Sequence, residues 1–499
     1  MLGEYNYVAI LRQLLFSYFI NALVFLIAPL STFVLSRGMS IADFGVFSLL
    51  FIYWNLGLHG FAFGFNHFIQ SYLPGRSKSE QEIVVGNSFG FVFWLSVVGG
   101  VLWFFFGRFF LSWLNVVVSF WVSLGLFLAI FVAALAVIPY AWLIAREEVG
   151  FSNVLYAINS SLWILLACVF FWFFHRIDVL LVVVFWIVGA GVQFFSSVVK
   201  LGWDAKVFVQ GVFHCPIISR RQWWFSLPLI PLGLLQWLLT GVDRSFLSHF
   251  FGSEAVGLYA LGYALVGLVV SFGNFVSLVF YPYIAKAWNR NDLVQFYRLV
   301  NAALKYNLMM VIPAVVGVFV LRDALVVLIG GGKFLVASSV VPFLFFFPVF
   351  ACLLLVVQNV LLVQGRSGSV GLVYAVAVIV NFFLNRALIP VFGMKAAGVV
   401  TVVTYAFLFG SMFVRVRNGI VLNWKFLKIG RIFVAAGGMG FLLFFVHPET
   451  VVLKVLVVFL GCTAYVVLCC LLRVLGRDEW LVLSELVSQA VVKRFAGVQ

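Results

Sequence analysis

Long apolar runs, separated by short connections that carry most of the charge, follow one another from end to end of the sequence. Apolar residues make up 65% of the 499 residues and charged residues only 9%, whereas a soluble chain is about half apolar and about a quarter charged. About 20 apolar residues suffice for a helix to cross the hydrocarbon of a bilayer. Because backbone groups in hydrocarbon must be satisfied internally, the sequence predicts an all-α polytopic membrane protein.

The number of apolar runs defines the predicted architecture. We expect about fourteen transmembrane helices, each boundary being uncertain by several residues. The runs cover residues 14–36, 44–69, 84–110, 116–145, 151–174, 179–199, 223–250, 255–285, 299–329, 334–363, 369–391, 396–414, 429–446 and 451–472.

An internal repeat relates the first twelve runs. The stretch 247–257 echoes the stretch 35–45 at a constant offset, so that Gly257 matches Gly45. Six helices per half is an even number, so both halves enter from the same side and form two parallel repeats, with a substrate pathway expected between them. The last two helices have no counterpart in the repeat.

These features predict five segments. Arg366 echoes Arg146 at a slightly longer offset, which extends the repeat through most of each half. The predicted segments are an N-terminal lobe (1–201), a cytoplasmic linker (202–222), a C-terminal lobe (223–415), two additional helices (416–473) and an amphipathic cytoplasmic tail (474–499).

Basic residues in the connections predict the orientation. With the N-terminus inside, most of the loop lysines and arginines fall on one face of the membrane, among them Arg76, Lys78, Arg146, Lys200 and Arg366. Such an excess marks the cytoplasmic side, so both termini are expected in the cytoplasm, and we predict the bacterial cytoplasmic (inner) membrane. Orientation also accounts for the formal net charge of +15 without a nucleic-acid partner.

The sequence gives no sign of a nucleotide, metal or cofactor site. Gly330-Gly331-Gly332-Lys333 lacks the first Gly and the final Ser or Thr of a phosphate-binding loop. The six histidines have no metal-ligand spacing and the six cysteines form no CxxC pair. We therefore expect no cofactor and no enzymatic activity.

Asp243 and Arg244 are adjacent ionic residues partway along an apolar run, opposite Ser31 and Thr32 of the first half. An ionisable residue in a membrane helix costs about 2.5–3.5 kcal/mol on insertion scales, so it usually faces a bundle interior or a watery cavity. The alternative interpretation is a pair at the end of a helix that snorkels to the headgroups.

Ten polar or charged residues within the runs are candidates for contact with a cargo. Basic groups outnumber acidic ones among them, which favours an anion, and the amides suit a sugar. Arginine binds phosphate oxygens through a planar fork, so the two arginines are better diphosphate candidates than the lysine. The candidates are Arg37, Asn66, His67, Asp243, Arg244, Lys305, Gln358, Asn359, Asn381 and Asn385, with a packing role open for His67.

Three stretches resemble the polysaccharide flippases. They are Asn381-x3-Asn385-x3-Ile389-Pro390 with its continuation to Thr401, Asp243-Arg244 with the following Gly257-Leu258-Tyr259-Ala260, and the segment 64–74. The chain is similar to the O-antigen and capsule repeat-unit branch of the multidrug/oligosaccharidyl-lipid/polysaccharide exporter superfamily. It departs from the pattern at Ala396-Ala397, where Gly-Ala is commoner.

The resemblance implies a bilobed fourteen-helix flippase. It would move undecaprenyl-diphosphate-linked oligosaccharide from the inner to the outer leaflet for O-antigen, lipopolysaccharide or related polysaccharide biosynthesis. Its partners would be the lipid-linked glycan, membrane lipids, a coupling ion, and a polysaccharide polymerase with its chain-length regulator. The resemblance assigns no catalytic set.

Three alternatives remain open. A drug/cation antiporter of the same superfamily would need buried carboxylates, and only Asp243 qualifies. A peptidoglycan-precursor flippase fits the helix count equally well. A membrane glycan polymerase or ligase would need a large periplasmic catalytic loop, and no connection on that face is long enough.

Overall fold

The computed structural model describes residues 27, 29–116, 118–213, 218–227, 229–416, 428–446 and 450–474. Within these ranges every regular element is a helix, and none is a strand. The all-α prediction is therefore confirmed. The predicted amphipathic tail lies, from residue 475 onward, outside the described residues and stays a prediction.

Seventeen helices are described here in chain order. A first helix, α1, occupies residues 29–38. The next eight are α2 (Ile41–Ala62), α3 (Phe65–Tyr72), α4 (Lys78–Trp113), α5 (Phe120–Ala145), α6 (Val149–Phe174), α7 (Val179–Leu201), α8 (Lys206–Phe213) and α9 (Arg220–Ser226). The last eight are α10 (Leu229–Asn289), α11 (Leu293–Val320), α12 (Arg322–Gly330), α13 (Phe347–Val363), α14 (Ser367–Phe392), α15 (Met394–Val416), α16 (Ile429–Phe444) and α17 (Val451–Leu471). Two 3-10 helices, Gly202–Ala205 and Gly332–Leu344, complete the set.

Hydroxyl side chains determine where several of these helices begin. Ser40 accepts a hydrogen bond from the backbone N–H of Asp43 at 3.0 Å, and Ser119 accepts one from Val122 at 3.3 Å. The first N–H groups of a helix have no partner within the helix, so a side-chain oxygen at this position stabilises the end. Polar residues at the ends of the apolar runs thus act as helix caps.

Helix α10 contains two predicted spans. It has 61 residues, which at 1.5 Å per residue is about 90 Å, roughly three times the thickness of the hydrocarbon. Gly252 interrupts it with φ 78° and ψ 179°. A residue with a side chain rarely adopts this conformation, so glycine permits the break, and it falls in the turn predicted between residues 250 and 255.

The described residues contain ten helices that are long and apolar enough to cross a membrane. The bent pair Gly332–Leu344 and Phe347–Val363, with 53° between its parts, raises the count to eleven. This count takes α10 as one helix, and it omits the shorter apolar helix α16. The first predicted span, 14–36, lies mostly outside the described residues. The number fourteen therefore stays a prediction.

The second predicted span, 44–69, is not one continuous helix. α2 ends at Ala62, and Phe63 and Gly64 have φ values of 53° and 70° before α3 begins. The apolar run continues through this turn, so hydropathy alone does not reveal it. α3 and its polar residues thus form a separate short element.

The chain forms two compact units. The first comprises Met1–Ala264, Ile329–Val340 and Gly368–Thr404. Its core includes Phe65, Ile69 and Trp142, all at most 1% exposed. These side chains join α3 to α5.

The second unit comprises Leu265–Leu328, Val341–Ser367 and Tyr405–Gln499. In its core, Ile312 of α11 packs with Ala435 of α16 and Tyr465 of α17. The Tyr465 hydroxyl donates to the carbonyl of Met309 at 2.8 Å. The division into lobes at residues 202–222 stays a prediction.

Two glycines bring α2 and α10 into backbone contact within the first unit. A Cβ on Gly45 would overlap the carbonyl oxygen of Ser253, and a Cβ on Gly257 would overlap that of Ile41. Ile41 and Ser253 are the same number of residues apart as Gly45 and Gly257. The contact therefore has the symmetry of the internal repeat. Any larger residue at either glycine would push the two helices apart.

Candidate functional site

Asp243 lies in the first unit, in the part of α10 before the Gly252 break, and its side chain is 1% exposed. The backbone N–H of Arg244 donates to Oδ1 at 2.7 Å, and the hydroxyl of Tyr259 donates to Oδ2 at 2.6 Å. A buried charge requires hydrogen bonds of this kind to remain in the folded state. The protein thus occupies both oxygens of the carboxylate with its own donors.

Thr401 of α15 is the third contact of this carboxylate. Its Oγ1 lies 3.4 Å from Oδ2 of Asp243, 3.2 Å from the Tyr259 hydroxyl and 2.9 Å from the carbonyl of Ala397. A hydroxyl has one proton to donate, and the Ala397 carbonyl is the nearer acceptor. Thr401 therefore connects the Asp243–Tyr259 pair to the backbone of α15.

Arg244 presents a donor that the protein does not use. Its Nε is buried and has no hydrogen-bond partner in the described part of the chain. Its guanidinium carbon lies 4.9 Å from the centre of the Tyr263 ring, a distance typical of a cation–π contact. No ion pair joins it to Asp243, although both are described. A guanidinium held against a ring with a buried, unpaired N–H is suited to an anion.

Two asparagines of α14 form a second buried polar group in the same unit. Nδ2 of Asn385 donates to Oδ1 of Asn381 at 2.9 Å, and Nδ2 of Asn381 donates to Thr404 of α15 at 3.0 Å. Both asparagines are at most 1% exposed. Oδ1 of Asn385 is buried and lacks a partner within the described ranges. The group thus ends on an unsatisfied acceptor.

Arg37 lies at the end of α1 and contacts the end of α12. Its Nε donates to the carbonyl of Ile329 at 3.2 Å, and Ser36 donates to the same carbonyl at 3.1 Å. In return, Lys333 donates to the carbonyls of Arg37 and Met39. The two cations therefore cap each other's helix ends. This is the local role of Lys333.

The remaining candidates lie on three other elements. Asn66 and His67 are on α3 in the first unit, where His67 is exposed. In the second unit, Lys305 of α11 is fully buried, and Gln358 and Asn359 of α13 are partly buried. The hydrogen bonds that assemble the Asp243 site do not involve these residues, and their contact with a cargo stays a prediction.

Sequence reasoning missed Tyr259, Tyr263, Thr401 and Thr404 as site residues. Tyr259 and Thr401 lie within the motifs that carry the family resemblance, and this was the available signal. Hydroxyl residues are common in membrane helices, where they bond to nearby carbonyls. Only the fold shows that the hydroxyls of Tyr259 and Thr401 reach Asp243 and that the hydroxyl of Thr404 reaches Asn381. Within the described residues, no group of three or more His, Cys, Asp or Glu side chains could hold a metal ion.

Comparisons with known proteins find a family match that covers part of this site. A family model described as MatE matches residues 228–386, a range that includes Asp243, Arg244, Asn381 and Asn385. The chain is 22% identical over 165 residues to the "Probable low-salt glycan biosynthesis flippase Agl15" of Haloferax volcanii, covering 33% of this chain and 35% of that protein. Within residues 228–386 the chain therefore resembles the MatE family, and it is similar to a probable glycan flippase.

Solved structures agree on the fold of this chain. The lipid II flippase MurJ in an inward closed conformation superposes with a TM-score of 0.72 at 14% identity, over 92% of this chain and 99% of that one. An inward-facing multidrug resistance MATE family transporter of the MOP superfamily gives 0.64 at 13%, over 79% and 94%. At such identities the likeness concerns the fold alone. The chain spans about a third of the length of Agl15. With its many apolar helices it is a multi-pass membrane protein.

Proposed function

We propose that the protein is a flippase that moves undecaprenyl-diphosphate-linked oligosaccharide from the inner to the outer leaflet of the bacterial cytoplasmic membrane. The observation that supports this most directly is Arg244. Its buried Nε has no hydrogen-bond partner among the described residues, and its guanidinium rests on Tyr263. Arginine recognises phosphate oxygens through a planar set of donors. A lipid diphosphate supplies the acceptors that this side chain lacks.

The surroundings of Asp243 favour this cargo over a cationic drug. Asp243 is the one acidic residue that is buried within the described ranges. Both of its oxygens already accept hydrogen bonds from Arg244 and Tyr259. A cationic cargo would have to displace these donors, whereas an anion would meet an unpaired one. The drug/cation antiporter is therefore the weaker candidate.

A lipid-linked glycan needs a protein to cross the membrane because its head is polar. Each unpaired polar group costs several kcal/mol in hydrocarbon, while the polyprenyl tail is at home there. A polar cavity between two parallel repeats would shelter the head during the crossing. A coupling ion would provide the energy. We expect a polysaccharide polymerase and a chain-length regulator to act downstream.

Deleting the gene tests the proposed function. We expect lipid-linked repeat units to accumulate on the cytoplasmic leaflet, surface polysaccharide to be lost, and efflux of cationic dyes to stay unchanged. Lipid-linked units would be quantified by mass spectrometry, and a plasmid copy of the gene would serve as the control. A strain that keeps its polysaccharide and becomes sensitive to cationic drugs would replace this proposal with the antiporter.

A peptidoglycan-precursor flippase is the second candidate, favoured by the TM-score of 0.72 with the lipid II flippase. Both cargos join a polyprenyl diphosphate to a sugar, so Arg244 would serve either. The same deletion separates them. Loss of surface polysaccharide with normal cell walls supports the repeat-unit cargo, and cell lysis supports the peptidoglycan precursor.

The proposed direction requires cytoplasmic termini. In a variant without native cysteines, we expect single cysteines at Ser219 and Ser367 to face the cytoplasm and one at Ser253 to face outward, because basic connections mark the inside. An impermeant thiol reagent added to intact cells should label only the Ser253→Cys variant. Permeabilised cells, in which all three should react, provide the control. Labelling of Ser219→Cys in intact cells would overturn the orientation.

A further inference from the structure

A basic pocket opens at one end of the first unit, apart from the Asp243 site. It lies where α4 begins and where α5 and α7 end, so three helices meet there. The cavity has a volume of about 530 Å³. Arg76, Lys78, Gln81, Arg146 and Asp204 are among the side chains that line it. The predicted orientation puts this end in the cytoplasm.

One carboxylate holds two of these cations together. Asp204 is 2.7 Å from Nζ of Lys78 and 2.8 Å from a guanidinium nitrogen of Arg146. The hydrogen bond from Lys78, and then that from Arg146, keeps the pKa of Asp204 below its usual value. Asp204 is therefore an anion at neutral pH. Its oxygens occupy the position between the cations that a phosphate would take.

The guanidinium of Arg146 is fixed in place before any ligand arrives. It lies 4.0 Å from the centre of the Trp142 ring. Trp142 is itself fully buried and donates through Nε1 to Gln81 at 3.1 Å. A cation held against a buried, hydrogen-bonded ring loses little freedom when it binds an anion. This part of the pocket is preorganised.

The other ion pairs at this pocket are weaker than those of Asp204. Arg76 stands 3.9 Å from Glu80, and Lys78 stands 4.0 Å from Glu82, both at the limit of an ion pair. Exposed pairs of this kind contribute little. Glu147 is the second acidic residue of the lining. Three basic side chains thus face two acidic ones beside the N-terminus of a 36-residue helix, whose dipole adds positive potential.

We propose that this pocket binds a phosphate or diphosphate group of a membrane lipid, and that Asp204 is an internal anion which the ligand displaces. The inference deepens the proposed function and rests on it for the cytoplasmic location. A diphosphate carries more charge than a carboxylate and offers more acceptors to Lys78 and Arg146. The ligand is either the cargo's own diphosphate or the headgroup of an anionic lipid.

Displacement of Asp204 would also act on the chain that follows it. Asp204 lies in the 3-10 helix Gly202–Ala205, which directly precedes α8. Gly211 of α8 packs against the backbone of Gly86 on α4, and Gly90 of α4 packs against the backbone of Gly211. Asp204 thus joins the 3-10 helix to the start of α4, and the glycine contact joins the following α8 to α4. A bound lipid would break the first contact and leave the second.

Binding of farnesyl diphosphate to the purified full-length protein in neutral phosphatidylcholine nanodiscs tests the pocket. Arg146→Gln and Lys78→Gln should each weaken binding about tenfold, the effect of one charge-assisted hydrogen bond. Asp204→Asn should tighten binding several-fold, because it removes the competing anion. A purely structural Asp204 would give no such gain.

The matched control is Arg366→Gln. Arg366 corresponds to Arg146 in the internal repeat, but its guanidinium donates to the carbonyl of Arg415 at 3.0 Å instead of to a carboxylate. Its variant should bind as the wild type does. Size-exclusion chromatography of each variant checks folding, and Arg146→Lys, which keeps the charge, should retain intermediate affinity.

Nanodiscs that contain phosphatidylglycerol distinguish the two sources of the ligand. If phosphatidylglycerol competes with farnesyl diphosphate, the pocket binds an anionic lipid headgroup. If it does not compete, the pocket binds the diphosphate of the cargo. The proposal is overturned if Arg146→Gln and Lys78→Gln bind farnesyl diphosphate as tightly as the wild type does. It is also overturned if Asp204→Asn binds no more tightly than the wild type. Surface polysaccharide in complemented deletion cells is scored separately, so a failed pocket is not confused with a failed flippase.

Discussion

Arg244→Ala should abolish surface polysaccharide while the protein is still inserted at the wild-type level. The substitution removes the buried, unpartnered Nε and the guanidinium that contacts Tyr263. A hydrogen bond to a charged group contributes about 1.5–3 kcal/mol, which is roughly a 10- to 150-fold loss of affinity for each bond. If Arg244 makes a bidentate contact with the ligand, the substitution would remove two such hydrogen bonds. Polysaccharide is measured by immunoblot of whole cells, and protein level by blot of membranes.

Two variants make the Arg244 result interpretable. Arg244→Lys keeps the charge but loses the planar fork, so it should retain partial function. Arg386→Ala removes an exposed arginine of α14 in the same unit and should leave polysaccharide unchanged. Normal polysaccharide from well-expressed Arg244→Ala would reduce the residue to an anchor that snorkels to the headgroups.

Gly45→Val and Gly257→Val should each stop transport by separating α2 from α10. Each new side chain would meet a backbone carbonyl, that of Ser253 or of Ile41, and backbone cannot move aside as a flexible side chain can. Overpacking costs about 1–3 kcal/mol, and a bias of this size shifts a two-state equilibrium about 5- to 150-fold. Transport would be measured as surface polysaccharide. Cross-linking of an Ile41→Cys, Ser253→Cys pair would report whether the helices touch.

Gly191→Val is the matched control for the helix contact. Gly191 lies within α7 of the same unit, and nothing would lie within 4 Å of a Cβ built there. We expect normal polysaccharide and unchanged cross-linking from this variant. If Gly45→Val cross-links as efficiently as the wild type, the two helices tolerate the extra volume and the contact is not a constraint on transport.

Much of the fold could be predicted because its cause is local. A run of apolar residues predicts a membrane helix wherever it occurs, and Gly252 falls in the short connection where two runs had to be separated. The turn at Phe63–Gly64 could not be predicted in this way. Two consecutive residues with positive φ change neither the hydropathy nor the length of an apolar run. The run from 44 to 69 is therefore predicted as one helix. The bend before α13 also falls within an apolar run, so hydropathy does not reveal it.

The sequence could predict a residue of the candidate site only where that residue was unusual by itself, without knowledge of its partners. Asp243 and Arg244 stand out because a charge in an apolar run is costly. Tyr259 and Thr401 are ordinary residues for a membrane helix, and their importance comes from a carboxylate that packing brings to them. The partners of Asp204 were equally hidden, since Lys78 and Arg146 are distant in sequence and are basic loop residues like many others.

The contact between Gly45 and Gly257 also limits how the two repeats can vary in sequence. Each repeat supplies one glycine and one facing carbonyl, so neither can gain a side chain at this point without displacing the other. The pair Asp243–Arg244, in contrast, stands opposite Ser31 and Thr32 and exists in one repeat only. The backbones of the two repeats are therefore tied together at the glycine contact, whereas the charged pair is confined to one of them.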